Sequence, residues 1–162
     1  VAMSGIEADR DAFTWNRVLV YNLGFDRKGR EGVHWTYFPD PEVCFYRVGY
    51  YDNIMESDRM SLYVEIGLPA VGGDATPLEQ VIADLRAAGV VTDQTLVSSH
   101  TVTLDPAYVH VTPAGTAEAA RVRDALAARG VHSVGRYGAW TYCSIEDNIV
   151  EARDLASKLA KK

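Results

Sequence analysis

The spacing of the strand-like runs is the tightest constraint that this sequence places on its fold. Four β-branched and aromatic runs crowd the first 66 residues: 17–25 (RVLVYNLGF), 34–38 (HWTYF), 45–51 (FYRVGYY) and 61–66 (SLYVEI). The links between them are charged, glycine-bearing or proline-stopped, and too short for the crossover helix that a parallel pair needs, so antiparallel pairing of these neighbours is the simplest arrangement. Alternation assigns their faces. Within 45–51 it puts Tyr46, Val48 and Tyr50 on one side and Phe45, Arg47 and Gly49 on the other. Within 61–66, Leu62, Val64 and Ile66 share one side, and Tyr63 and Glu65 the other.

Helical signals follow. Thr76 is positioned as a cap with Pro77 in the first turn and Glu79 closing a capping box, and Leu78, Val81, Ile82 and Leu85 form the stripe that Gly89 ends. Further strands are expected at 96–104 and 108–112 around an Asp105-Pro106 turn. Thr116 then opens an alanine-rich helix running to about Arg129, with Gly130 as its stop. Residues 1–14 read as a polar, turn-like lead-in. The fold class is α+β: an antiparallel sheet of about five to six strands with two packed helices.

Composition removes several function classes. Of the 162 residues, 48% are apolar and 23% charged, as in an ordinary globular protein. A net charge of −6 and no basic run before the last residues argue against nucleic acid as a partner. No apolar run of about 18 residues is present, which argues against a membrane span. Cys44 and Cys143 stand apart without metal or redox spacing, so a reduced, cytoplasmic setting is the expectation and no metal site is suggested. The four histidines (His34, His100, His110 and His132) are scattered, three of them in strand-like runs, and read as half-buried strand residues rather than ligands. The chain opens on Val1 with Met3 just inside, which suits either a start at Met3 behind two extra residues or a piece of something longer.

Residues 133–159 (SVGRYGAWTYCSIEDNIVEARDLASKL) read as a strand ending at Val134, a glycine-hinged turn, and a helix opening at Ser144. Ser144 and Asp147 form a variant capping box, and Ile145, Ile149, Ala152, Ala156 and Leu159 make one apolar stripe. A lone strand and helix with no upstream partner implies a layer that these residues do not complete. Arg136 at the turn suits a diphosphate, the helix start supplies free N–H groups, and Glu146 and Asp147 suit the dipole and sugar hydroxyls. An ordinary strand-to-helix corner with an acidic first turn fits the same pattern. Arg47 and Arg136 each have aromatic neighbours, as in a cleft for a nucleotide or sugar diphosphate. No nucleophile elbow, zinc-protease helix, Walker loop or dinucleotide fingerprint is present, so these residues bind and position.

HWTYFPD at 34–40, FYR at 45–47, VGRYGAWTY at 134–142 and the Glu146-Asp147 pair together resemble the C-terminal, substrate-domain half of the UDP-galactopyranose mutase and protoporphyrinogen-oxidase-like FAD-dependent flavoproteins of the amine oxidase superfamily. The resemblance implies that Arg47 and Arg136 clasp a UDP diphosphate with Tyr37, Tyr108 and Tyr142 around it. It places Gly135, Trp140, Glu146 and Asp147 near the flavin. It also implies that FAD carries the reaction, leaving the protein to hold and orient the substrate. The glycine-rich FAD segment and the mobile histidine loop of that group are not among these residues, the segment after Tyr142 is shorter, and the 50–53 loop differs.

The expected organisation is a substrate-binding α+β domain over 1–130 and a strand-turn-helix over 131–162 that closes an FAD-binding domain. The leading reading is the substrate-binding portion of an FAD-dependent oxidoreductase or nucleotide-sugar mutase, completed by a partner chain bearing the flavin layer. A standalone ligand-binding or interaction module, homodimeric through the orphan strand-turn-helix, is the second reading. A flavin-independent enzyme using tyrosine, histidine or Glu65 as acid or base is the third.

Overall fold

In the computed structural model the close-set runs pair antiparallel, but the 17–25 run pairs with 61–66 rather than with its neighbour 34–38. The structure describes residues 4–73 and 76–161, so the expectations for Val1, Ala2 and Met3 lie outside the described residues. Strands β1 (Trp15–Phe25), β2 (Trp35–Tyr37), β3 (Arg47–Tyr50), β4 (Ser61–Leu68) and β5 (Leu96–Val109) form one sheet in the order β2-β3-β4-β1-β5. Pairing is antiparallel between β2 and β3, β3 and β4, and β1 and β4, in registers that set Tyr37 opposite Arg47, Arg47 opposite Glu65, and Glu65 opposite Val20.

The chain divides into two units, Arg17–Asp105 and the segments before Arg17 and after Asp105. In the first, one face of the sheet carries Leu19, Tyr21, Leu23, Val48, Tyr50, Leu62, Val64 and Ile66 into a core closed by Val81 and Leu85 of helix α2 (Leu78–Ala87). Each large apolar side chain buried there contributes about 2 kcal/mol. The alternation read for β4 holds. Phe45 departs from the reading of β3: it precedes the strand and packs into the core, because the period-2 rule applies only where the backbone is extended and paired.

Several boundaries also differ. Tyr51 is not the end of β3 but opens a one-turn helix, α1 (Tyr51–Ile54), over the buried Asp52, whose carboxylate pairs with Lys28 at 2.8 Å and accepts the Ser61 N–H at 3.2 Å. Thr76 does not cap α2. Pro77 occupies the cap position without a side-chain bond, and the Thr76 carbonyl accepts the Tyr21 hydroxyl at 2.6 Å. Gly89 does stop α2, at φ 69°, with Gly89 N–H donating to Arg86 and Val90 N–H to Leu85 in a Schellman close. Asp105 and Pro106 lie within the single 14-residue β5 rather than at a turn between two strands.

In the second unit, helix α3 (Pro113–Ala127) starts four residues earlier than Thr116 suggests. Thr112 is the cap, accepting the Gly115 N–H at 3.0 Å with Pro113 behind it. The N-terminal segment is no loose lead-in but is tied to α3. Ile6 packs on Val122 and Leu126, Glu118 accepts the Asp9 N–H at 2.8 Å, and Arg121 donates to the Glu7 carbonyl at 2.7 Å. The strand expected to end at Val134 does not form. Residues 131–134 are irregular and largely exposed, because no ladder partner lies alongside them among the described residues. They lead to the short helix α4 (Gly135–Ala139), and then to α5 (Ile145–Leu159), whose Ser144–Asp147 capping box is formed as read. Among the described residues no helix is long and apolar enough to cross a membrane.

The Glu118 tether has a pH signature. Hydrogen bonds from Arg121, then from the Asp9 N–H, hold the Glu118 carboxyl at about 2, against an ordinary 4.5. A carboxylate depressed in the folded state stabilises fully above its unfolded value, and that contribution is lost as pH falls through the folded value. Denaturant titrations stepped from pH 4.5 towards 2 are expected to show stability falling through this window, with a shallower fall in Glu118→Gln; an equal slope in both would contradict the tether.

Candidate functional site

The outer face of the sheet in the first unit gathers the aromatic residues around Arg47. Because β2, β3 and β4 pair in the register given above, Tyr37, Arg47 and Glu65 line up across three strands. Two residues along, Trp35, Gly49 and Tyr63 make the next row. The Arg47 guanidinium lies 5.8 Å from the ring centroids of both Tyr37 and Tyr63. One of its arms ion-pairs with Glu65, and the other donates to the Tyr37 hydroxyl at 3.3 Å. The Tyr46 hydroxyl donates to the second Glu65 oxygen. Tyr63 lies across Gly49 so closely that a Cβ there would fall 1.9 Å from its ring, so only glycine fits. Burial pushes the Tyr63 phenol above its ordinary value, with Arg47 opposing the shift. Trp35, Tyr37 and Tyr51 are exposed on this unit.

Arg136 has an equivalent setting in the second unit. The short helix α4 begins at Gly135, held at φ 80°, and presents Arg136 between two rings, each centroid 5.3 Å away: Tyr108 of β5 and Tyr142 before α5. Its guanidinium donates to the Cys143 carbonyl at 2.7 Å. No carboxylate pairs with it among the described residues, which leaves most of its fork open to an anion. An open depression of about 460 Å³ borders it, lined by Gly135, Arg136, Ser144, Ile145 and Asn148 among others.

The five residues expected at a diphosphate thus fall into two constellations, Tyr37 with Arg47 and Tyr108 with Arg136 and Tyr142. Their chemistry differs. Arg47 is already committed to a nearly buried carboxylate, whereas Arg136 is held by π-faces and one carbonyl. Glu65 was a candidate acid or base, and its two oxygens are occupied by Arg47 and Tyr46. Tyr63 and Tyr46 escaped the motif-based reading of this cluster. The signal for Tyr63 was present in its period-2 spacing from Glu65, and only the β3–β4 register places both beside Arg47.

The four positions expected near flavin do not form a cradle by themselves. The Gly135 N–H is taken by Glu151 at 2.8 Å, and Asp147 spends its carboxylate on Ser144. The Trp140 ring packs edge-on against Phe13 and Trp15, at 4.9 and 5.9 Å. Glu146 alone is exposed without a bond to another described side chain. Neither cysteine has the setting of a nucleophile: burial, then Asp84, pushes the Cys44 thiol up to about 12, and the Cys143 thiol bonds Asn148 at 3.5 Å. Among the described residues no group of three His, Cys, Asp or Glu could hold a metal ion.

No protein-family model and no curated protein matches the chain. Among solved structures, it is similar to one described as the crystal structure of reduced UDP-galactopyranose mutase, at 22% identity and a TM-score of 0.71. The match covers 82% of this chain and 30% of that one, so the chain spans less than a third of its neighbour's length. The likeness read from the motifs is thereby met at the level of the fold, as a part of a larger architecture.

The two arginines are expected to separate in stability measurements. Arg47→Ala leaves Glu65 unpaired on a face with little water, and should cost about 2 kcal/mol, less than a fully buried pair because Arg47 itself is partly exposed. Arg136→Ala, which strands only one carbonyl, should cost under about 1 kcal/mol. Equal losses in urea titrations would contradict the assignment of Arg47 as a structural cation.

Proposed function

We propose that the chain is the substrate-binding portion of an FAD-dependent oxidoreductase or nucleotide-sugar mutase, and that Arg136 is its principal anion contact. The observation that carries this reading is the Arg136 guanidinium held between Tyr108 and Tyr142 with no carboxylate paired to it among the described residues. That arrangement is suited to a diphosphate, which a guanidinium meets with two parallel hydrogen bonds while flanking rings stack on a base or sugar. Arg47 with Tyr37, in the other unit, is a separate candidate anion contact, at which a ligand would compete with the long Tyr37 hydrogen bond. The fold shared with part of a UDP-galactopyranose mutase supports a nucleotide sugar as the substrate class and FAD as the cofactor.

Within this proposal, residues 131–162 close a flavin layer contributed by other residues, of this chain's longer form or of a partner. Support comes from α5. The stripe read as apolar is out in solvent, with Ile145 81% and Ile149 65% exposed and no residue of the helix buried. An amphipathic helix without a partner surface is not a finished layer. The same stripe favours a second reading, in which two copies pair through α5 as a standalone binding module.

Calorimetric titration of the chain with UDP and with uridine separates the readings. The account expects saturable UDP binding and much weaker uridine binding. Arg136→Ala should lower UDP affinity by about 30-fold, corresponding to about 2 kcal/mol for a charge-assisted bidentate contact. UDP affinity unchanged in Arg136→Ala would overturn the site, and a stable dimer that ignores UDP would favour the standalone module.

A further inference from the structure

A cleft of about 410 Å³ opens within the unit that contains α3, α4 and α5, and its lining is almost wholly apolar. Phe13 and Trp15 form one wall, Val122 and Leu126 of α3 another, and Tyr137 and Trp140 a third. This volume is within the range of small-molecule sites, about 300–1,000 Å³, which are typically aromatic-walled with few polar groups. None of the five diphosphate candidates lines it.

Two features mark the cleft as more than a packing gap. Trp140 is held there against its preferences. Its φ of 51° is in the left-handed region that bulky residues avoid, and its buried indole N–H has no hydrogen-bond partner among the described residues. Such outliers persist where the surroundings over-determine them, and here Phe13 and Trp15 grip the ring edge-on. The second feature is charge. Of the two guanidinium groups lining the cleft, Arg123 is engaged by the Ser133 carbonyl at 3.1 Å and by Glu151 at 3.4 Å. Arg10 is exposed and has no ion pair among the described residues. Asp9 and Asp11 flank it in sequence, but the Asp9 carboxylate is turned to the Asp11 N–H at 3.1 Å. An apolar aromatic pocket with one uncommitted cation is complementary to a flat apolar body carrying a single negative charge.

We infer that this cleft binds a small aromatic monocarboxylate, its ring lying against Phe13, Trp15 and Trp140 and its carboxylate meeting Arg10. The site is distinct from the proposed diphosphate contacts and does not depend on them. Calorimetric titration of the full chain with 1-naphthoate tests it, with 1-naphthylmethanol as the neutral analogue and UDP as competitor. The expected result is one saturable naphthoate site that Arg10→Gln weakens about tenfold, through loss of a charge-assisted hydrogen bond. The neutral analogue should bind wild type and variant alike, and UDP should not displace naphthoate. Arg10 is exposed, so its variant is expected to fold. Absence of saturable naphthoate binding to the wild type, an Arg10→Gln affinity equal to wild type, or displacement by UDP would each overturn the assignment.

Discussion

The outer face of the sheet depends on Glu65. This carboxylate is only 7% exposed, and removing such a group from water costs several kcal/mol unless a cation and donors replace the lost hydration. Arg47, directly opposite on β3, and the Tyr46 hydroxyl replace it. The pair then dictates its surroundings. Arg47 is drawn flat to the sheet and lies between the rings of Tyr37 and Tyr63, and Tyr63 in turn requires glycine at position 49. The other face is simpler, an apolar surface covered by one helix. The sheet thus has one apolar face and one aromatic, charge-bearing face.

The second unit is organised differently. Its helix α3 is anchored by a short polar tether and a small cluster around Ile6, while α5 has a well-formed cap and no buried residue. Capping and propensity can start a helix, but tertiary burial supplies most of its stability. The apolar stripe of α5 is in water, and residues 131–134, ahead of α4, find no ladder partner among the described residues.

Much of this was legible in the sequence because it rests on local rules. Short links dictated antiparallel pairing, alternation sorted Val64 from Glu65, and Gly89 and Gly130 ended their helices through positive φ. The sequence placed both arginines and three tyrosines around one diphosphate; that Tyr37 accompanies Arg47 while Tyr108 and Tyr142 flank Arg136 emerged only from the fold. What escaped was decided by competition between partners. Thr76 had the residue type of a cap, yet Pro77 holds the cap position and the Thr76 carbonyl serves Tyr21 instead. Thr116 lost the start of α3 to Thr112, whose Pro113 is pre-set for a first turn. Pro106 did not break β5. The strand at 133–134 failed for want of a neighbour, and no local pattern reveals a missing partner. The Arg47–Glu65 ion pair escaped because it spans 18 positions and exists only in register.

The proposal that this chain carries a substrate contact but not a whole cofactor site rests on Arg136, held between two rings with no carboxylate partner among the described residues, and on Gly135, Asp147 and Trp140 being engaged within the chain. The most direct test is the visible absorbance of the purified chain after incubation with FAD and desalting. The account predicts a colourless protein, because Gly135, Asp147 and Trp140 are committed within the chain and the phosphate cradle is not among these residues. A flavin band retained in stoichiometric amount would contradict it, since the cofactor site would then be complete on this chain.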